Sequence, residues 1–115
     1  MTITLYGIKN CDTVKKARDW LADRQIQYHF HDFRIDGLTE MQVRQWIDVI
    51  GLEALVNKRS TTWKALDESA KADFNEQTAV SVIVENPTLI KRPLLDTGKQ
   101  QMTGFKAADY ERVLG

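Results

Sequence analysis

A strand pattern and a helix pattern follow each other at the start of the chain, with a cysteine at their junction. Residues 2–6 are rich in β-forming side chains, and Gly7 ends this predicted strand. Capping residue types surround Cys11, and apolar side chains then recur at helical spacing, which predicts a helix over residues 12–24. Residues 25–33 alternate between apolar and polar side chains, which predicts a second strand. The chain therefore begins as a β-α-β unit.

Helices and then a hairpin are predicted for the rest of the chain. Thr39 and Gln42 match a capping box, and Gly51 stands at a C-terminal cap position, so a helix is predicted between them. Residues 75–85 fit either a helix or a buried β-branched strand. Residues 89–96 and 99–103 are predicted as a hairpin. One helical face of the tail carries Ala107, Tyr110 and Leu114. The expected fold class is α/β, a small mixed sheet with flanking helices.

The charge balance and the cysteine count exclude several classes of protein. Lys plus Arg and Asp plus Glu both number 16, so the chain lacks the basic excess of a nucleic-acid binder. One cysteine allows no intramolecular disulfide. The start of the chain does not resemble a signal peptide, and no apolar run reaches membrane-spanning length. We therefore expect a cytoplasmic monomer without nucleic-acid or membrane partners.

Cys11 is the chemically informative residue. The N–H groups at a helix start are unpaired and the helix dipole is positive there, so a thiolate at this position is stabilised. Lys9 and Lys15 would add positive potential. The alternative is an inert, buried small residue, which is a common fate of a lone cysteine. Because Val14 occupies the fourth position of a potential Cys-x-x-Cys pair, a mixed disulfide on Cys11 needs an external thiol such as glutathione to resolve it.

Three segments together resemble a known family. They are Leu-Tyr-Gly-Ile-Lys-Asn-Cys-Asp-Thr at residues 5–13, Lys-Arg-Ser-Thr at residues 58–61, and Ile-Lys-Arg-Pro at residues 90–93. The chain resembles the arsenate reductase (ArsC)/Spx family and is most similar to its YffB-type branch. The resemblance implies one thioredoxin-like domain over residues 1–115, with a helical insert at about residues 39–84. It also favours the helix over the strand for residues 75–85.

The resemblance assigns roles to particular residues. It implies that Cys11 is the catalytic nucleophile and that Arg92 binds an oxyanion or a glutathione carboxylate in a bidentate pair. In thioredoxin-like folds the proline at the position of Pro93 is typically cis and faces the thiol. The full set expected to bind glutathione or an anion is Lys9, Asn10, Thr13, Arg59, Arg92 and Pro93.

Departures from the family pattern separate the candidate functions. Glutathione-linked arsenate reductases surround the oxyanion with three arginines, whereas this chain has Asn57 where the first would align. It has no arginine between Arg92 and Arg112, where Lys99 is the nearby cation. Spx-type regulators often carry Cys-x-x-Cys, which is absent. The leading hypothesis is a glutathione-dependent thiol reductase, and the alternatives are an arsenate reductase and an Spx-like regulator that binds RNA polymerase.

The leading hypothesis also specifies the small molecules and partners. Glutathione would be the co-substrate, with no bound cofactor, and the substrate would be an oxidised thiol or an oxyanion. Glutaredoxin is a candidate partner. His29 and His31 share one face of the second predicted strand, a spacing that suits either a partly buried strand position or a metal site. Because no further ligand stands at suitable spacing, no metal site is predicted.

Overall fold

Four short strands form one mixed sheet in the computed structural model, which describes residues 2–114. The strands are β1 (Thr4–Gly7), β2 (His29–Asp32), β3 (Leu94–Asp96) and β4 (Gln101–Thr103). Their order across the sheet is β2-β1-β3-β4. β1 pairs in parallel with β2, and the other two pairings are antiparallel. The predicted α/β class with a small mixed sheet is confirmed.

Helices account for most of the remaining chain. They are α1 (Asp12–Asp23), α2 (Phe33–Asp36), α3 (Glu40–Ile50), α4 (Leu52–Leu55), α5 (Thr61–Ala65), α6 (Glu68–Ala72), α7 (Ala79–Glu85) and α8 (Ala107–Leu114), with a 3-10 turn at Pro87–Leu89. Among the described residues, no helix is both long and apolar enough to cross a membrane.

The chain divides into two units, and the sheet belongs to the unit formed by residues 2–36 and 92–114. In this sheet unit, α1 and α8 pack on the same face of the sheet, because their apolar side chains share one buried cluster with β1 and β3. The members of that cluster are Leu5, Ala17, Trp20, Leu21, Leu95 and Tyr110. This packing fixes the start of α1 at the end of the sheet at which β1 ends.

The second unit, residues 37–91, is helical. Its longest helix, α3, begins as predicted, because the Thr39 hydroxyl accepts a hydrogen bond from the Gln42 N–H (3.1 Å). It ends at Gly51, whose positive φ of 93° suits glycine. A single antiparallel bridge joins Val56 to Ile90. That the whole chain is one domain with an insert stays a prediction.

Several boundaries predicted from the sequence are wrong. The strand expected over residues 25–33 is confined to β2, because residues 25–28 leave α1 through a turn and the Asp32 carboxylate accepts the Arg34 N–H (2.8 Å), which starts α2. The extended segment expected from residue 89 is regular only from Leu94. β4 begins at Gln101 rather than at residue 99, because the Thr97 hydroxyl accepts the N–H groups of residues 99 and 100 in a turn. Helix rather than strand is confirmed within residues 75–85, but α7 begins only at Ala79, because the Asn75 side chain accepts the N–H groups of residues 77 and 78 in a turn.

Candidate functional site

Cys11 lies where the first strand of the sheet is connected to the first helix. β1 ends at Gly7, residues 8–10 form a short connection, and α1 begins at Asp12. Cys11 is the N-cap residue of α1, with extended backbone angles (φ −134°, ψ 122°). Its carbonyl accepts the first intrahelical hydrogen bond, from the Lys15 N–H at 2.9 Å. The predicted position of the thiol at a helix start is confirmed.

The Cys11 side chain is available for chemistry. It makes no capping hydrogen bond with the first turn of α1, and it is half-buried. The first-turn N–H groups of an α-helix have no intrahelical partners, and they carry the positive end of the helix dipole. A thiolate at the N-cap is therefore close to groups that stabilise negative charge. This arrangement suits a nucleophilic thiol.

A close approach between β1 and α1 fixes the position of that helix start. A Cβ atom added to Gly7 would lie 2.8 Å from Cγ2 of Val14, which is shorter than real contacts of this kind. Val14 is 1% exposed in the first turn of α1. Only glycine at position 7 allows the first turn to pack so closely on β1. Val14 is thus held in place by β1, the strand that leads to the thiol.

The Arg92–Pro93 peptide bond is cis, as the resemblance implies. Pro93 is buried immediately before β3, and its carbonyl accepts the Gly104 N–H (2.9 Å). β3 runs antiparallel to β1, with Tyr6 opposite Leu94. The segment that precedes β3 therefore lies at the end of the sheet at which β1 ends and leads to Cys11. Whether Pro93 contacts the thiol stays a prediction.

Three of the other predicted binding residues of the sheet unit are neighbours of Cys11 in sequence, and the fourth is Arg92. Lys9 and Asn10 are exposed in the connection before Cys11, and Thr13 is half-buried in the first turn of α1. Arg92 is half-buried, and none of the ion pairs among residues 2–114 involves its guanidinium. The structure thus brings these residues to the end of the sheet that carries the thiol.

Arg59 belongs to the helical unit, so its predicted role in binding stays a prediction. Its N–H donates to the Asn57 side chain (3.0 Å), and its own side chain is exposed. It lines a cleft of about 700 Å³ together with Glu53, Val56, Asn57, Lys58 and Lys91. Lys91 was not singled out from the sequence, although it directly precedes the Arg-Pro pair. Its position follows from the bridge between Val56 and Ile90, a non-local pairing that sequence patterns do not reveal.

A second group that the sequence did not reveal surrounds Arg18 on α1. Nε of Arg18 donates to the Tyr28 hydroxyl (3.0 Å), and its guanidinium carbon lies 4.2 Å from the centre of the Phe30 ring. The helical pattern places Arg18 on the polar face of α1, but it does not show which strand residues come close to it. Arg18 is consequently held in one orientation by hydrogen bonding and by packing on an aromatic ring.

His31 and the tryptophans pack against other side chains of the fold. His31 lies half-buried beside Tyr6, with ring centres 4.8 Å apart, and His29 is exposed. Within residues 2–114, no group of His, Cys, Asp and Glu side chains has the composition and spacing to hold a metal ion. Trp20 and Trp46 are buried, and Trp63 packs against Phe74 with its ring edge-on (4.9 Å).

Comparison with known proteins gives a consistent result. The model of the ArsC family matches residues 6–113. An uncharacterized protein of Haemophilus influenzae is 51% identical over 109 residues, which cover 95% of this chain and 96% of the relative. The global transcriptional regulator Spx 2 of Lactococcus lactis is 26% identical over 114 residues, and the matched region covers 97% of this chain and 86% of the regulator. The solved structure of a YffB protein has a TM-score of 0.96 and 40% identity, and covers 99% of this chain and 100% of its own.

Proposed function

The chain belongs to the ArsC family, and we propose that it is a glutathione-dependent thiol reductase that acts through Cys11 alone. The observation that carries the proposal is that the only cysteine of the chain is the N-cap residue of α1 and that its side chain makes no capping hydrogen bond. A thiol in this position lies beside the unpaired first-turn N–H groups and is free to attack.

The reaction proceeds by thiol–disulfide exchange. The Cys11 thiolate attacks one sulfur of a substrate disulfide, and the other sulfur leaves with the electron pair as a thiolate. A glutathione thiolate then attacks the Cys11 sulfur and releases the second substrate thiolate. A second glutathione attacks the glutathione sulfur of the new mixed disulfide, which restores Cys11 and yields glutathione disulfide. Two glutathione molecules are thus oxidised for each disulfide reduced.

The lone thiol explains why an external reductant is needed. A Cys-x-x-Cys enzyme resolves its mixed disulfide with its own second thiol, but position 14 of this chain is valine. Arg92 and the exposed Lys9 near the thiol supply cations that suit the carboxylates of glutathione. These charges support glutathione as the resolving thiol.

Arsenate reduction is the alternative enzymatic function. A doubly charged oxyanion is bound most strongly by several guanidinium groups, since each arginine can form a bidentate pair. Between Arg92 and Arg112 this chain has lysines but no arginine. The charges near Cys11 therefore favour a disulfide substrate over arsenate. An Spx-like role as a regulator is disfavoured by the absence of a second cysteine, which such a redox switch uses.

A turnover assay tests the proposal. The purified chain is mixed with glutathione and a small disulfide, and glutathione disulfide is followed through an auxiliary reductase; a parallel reaction contains arsenate and glutaredoxin instead. We expect turnover with the disulfide and none with arsenate. The Cys11→Ser variant should be inactive, while its circular dichroism spectrum should match that of the wild type. Equal rates for wild type and Cys11→Ser would contradict the proposal, and faster turnover of arsenate would establish the alternative.

A further inference from the structure

A cleft of about 400 Å³ runs along α1 in the sheet unit. Its lining residues are Lys9, Lys15, Arg18, Asp19, Ala22 and Tyr28. One end is formed by Lys9, which precedes Cys11 by two residues, and the other end is formed by Ala22 near the end of α1. We call this feature the α1 cleft. Cys11 is not among the lining residues, but Lys9 lies in the short connection that leads from β1 to Cys11.

The charge of the α1 cleft is positive. Three of its side chains are cationic and one is anionic. Asp19 pairs with Lys15 (3.4 Å), and both side chains are largely exposed. Among residues 2–114, no ion pair is recorded for Lys9 or for Arg18. Lys9 and Arg18 therefore remain for a ligand, and Lys15 can join them because an exposed pair such as Lys15–Asp19 is weak. The complementary groups of the ligand would be carboxylates.

Arg18 is already oriented for such a ligand. Its Nε is engaged by the Tyr28 hydroxyl (3.0 Å), and its guanidinium lies over the Phe30 ring (4.2 Å). The terminal nitrogens of a guanidinium held in this way still offer N–H donors to a carboxylate. Because the side chain is held before binding, less conformational entropy is lost when a ligand binds.

The length of the α1 cleft indicates the class of ligand. The lining residues of α1 extend from Lys15 to Ala22, a distance of about 10 Å along the helix axis. This length accommodates about three residues of extended polypeptide. A single tetrahedral oxyanion would occupy only a small part of it. The elongated shape and the positive charge therefore suit a short acidic segment of polypeptide.

We propose that the α1 cleft binds an acidic polypeptide segment that flanks the oxidised cysteine of a protein substrate. This inference rests on the proposed function, since it names the substrate class of the same thiol. The Cys11 thiolate attacks the sulfur of the substrate cysteine, the Cys11–substrate disulfide forms, and the former partner thiol leaves with the electron pair. The acidic segment meanwhile lies along α1 and holds the substrate sulfur near Cys11.

Two matched peptides test the inference. Each carries one cysteine in a disulfide with 5-thio-2-nitrobenzoate, and the residues that follow the cysteine are Gly-Glu-Glu in one peptide and Gly-Gln-Gln in the other. Attack on the peptide sulfur releases the coloured thiolate, which is the better leaving group. We expect the acidic peptide to react about fivefold faster at low salt, because it gains two exposed ion pairs. The preference should disappear in 0.5 M salt, where charges are screened.

Matched variants identify the residues that cause the faster reaction of the acidic peptide. Lys15→Gln and Lys16→Gln make the same charge change at neighbouring positions of α1, but only Lys15 lines the cleft. The ratio of the two peptide rates should fall toward one in Lys15→Gln and in Arg18→Gln, and it should be unchanged in Lys16→Gln. An equal loss of preference in Lys15→Gln and Lys16→Gln would overturn the proposal, since a diffuse field would then explain it.

A binding measurement separates this inference from the proposed function. The acidic peptide with serine in place of its cysteine cannot react, so its effect on the amide NMR shifts reports binding alone. Shifts confined to residues 9, 15, 18 and 22, and absent with the glutamine peptide, would support the α1 cleft even if thiol exchange failed. Equal shifts with both peptides, or none at these residues, would overturn the inference even if exchange with glutathione succeeded.

Discussion

Two tyrosine hydroxyls of the sheet unit have opposite surroundings. The hydroxyl of Tyr28 accepts a hydrogen bond from Arg18 (3.0 Å), whereas that of Tyr110 is buried without a partner among residues 2–114. An unpaired buried hydroxyl destabilises the folded state. We expect Tyr110→Phe to raise the free energy of unfolding by about 1 kcal/mol and Tyr28→Phe to lower it by a similar amount. Urea unfolding of the wild type and the two variants measures both changes. A loss of stability in Tyr110→Phe would contradict the absence of a partner for the Tyr110 hydroxyl.

The same burial makes stability depend on alkaline pH. Desolvation raises the pKa of Tyr110 well above its ordinary value, so its phenol stays protonated in the folded chain. In the unfolded chain it loses its proton above a pH of about 10. The unfolded state is therefore favoured as the pH rises past that value. Below it the ionisation of Tyr110 has no effect on the free energy of unfolding, and above it that free energy falls. Between pH 9 and 11 the wild type should lose about 1.4 kcal/mol more stability than Tyr110→Phe. Equal losses in urea unfolding would contradict this expectation.

At the scale of elements, the packing of α1 on β1 sets the position of the thiol. A methyl group at Gly7 would lie 2.8 Å from Val14, so Gly7→Ala must displace the first turn of α1. We expect a loss of about 1–3 kcal/mol in the free energy of unfolding and slower alkylation of Cys11. Val14→Ala in the Gly7→Ala background should restore part of both properties, because it removes the clashing atoms. Additive effects of the two substitutions would contradict the proposed contact.

The start of α3 provides a second test of an element. The Thr39 hydroxyl caps this helix by accepting the Gln42 N–H (3.1 Å). Thr39→Ala should lower the free energy of unfolding by about 1 kcal/mol, because the N–H loses its partner. Thr39→Ser keeps the acceptor and should restore nearly the full value. Thermal unfolding followed by circular dichroism compares the three proteins, and equal stability of the alanine and serine variants would argue against capping.

The bounds of α1 and α3 were more predictable from the sequence than those of β2 and β4 were, whereas α2 was not predicted. Local signals define α3, since a capping residue begins it and a glycine ends it. The strands depend on partners that lie far away in sequence, and the Asp32 side chain ends β2 by accepting the Arg34 N–H, a local competition that alternation does not reveal. The thiol position was predictable for the same reason as α3, because Cys11 directly precedes a well-marked helix.

The α1 cleft arises only when the complete chain folds, and it could not be predicted from the sequence. The helical pattern identifies Lys15, Arg18 and Asp19 as polar positions of α1. That Tyr28 joins them depends on how residues 25–30 leave the helix, through a turn in which Gln25 has a positive φ of 57°. The net charge is zero, but the sequence already shows a cluster of cations near Cys11, namely Lys9, Lys15, Lys16 and Arg18; what it does not show is the cleft that three of them line.

We expect the fold to activate Cys11 as a nucleophile toward glutathione disulfide. The most direct measurement compares the second-order rate constant for glutathionylation of the folded chain with that of the same chain in urea, both at pH 7, by intact-protein mass spectrometry. The unfolded chain lacks the helix start and is therefore the matched control. We expect the folded chain to react about tenfold faster, because the unpaired N–H groups and the dipole at the start of α1 stabilise negative charge on the attacking sulfur. An equal or slower reaction of the folded chain would contradict it.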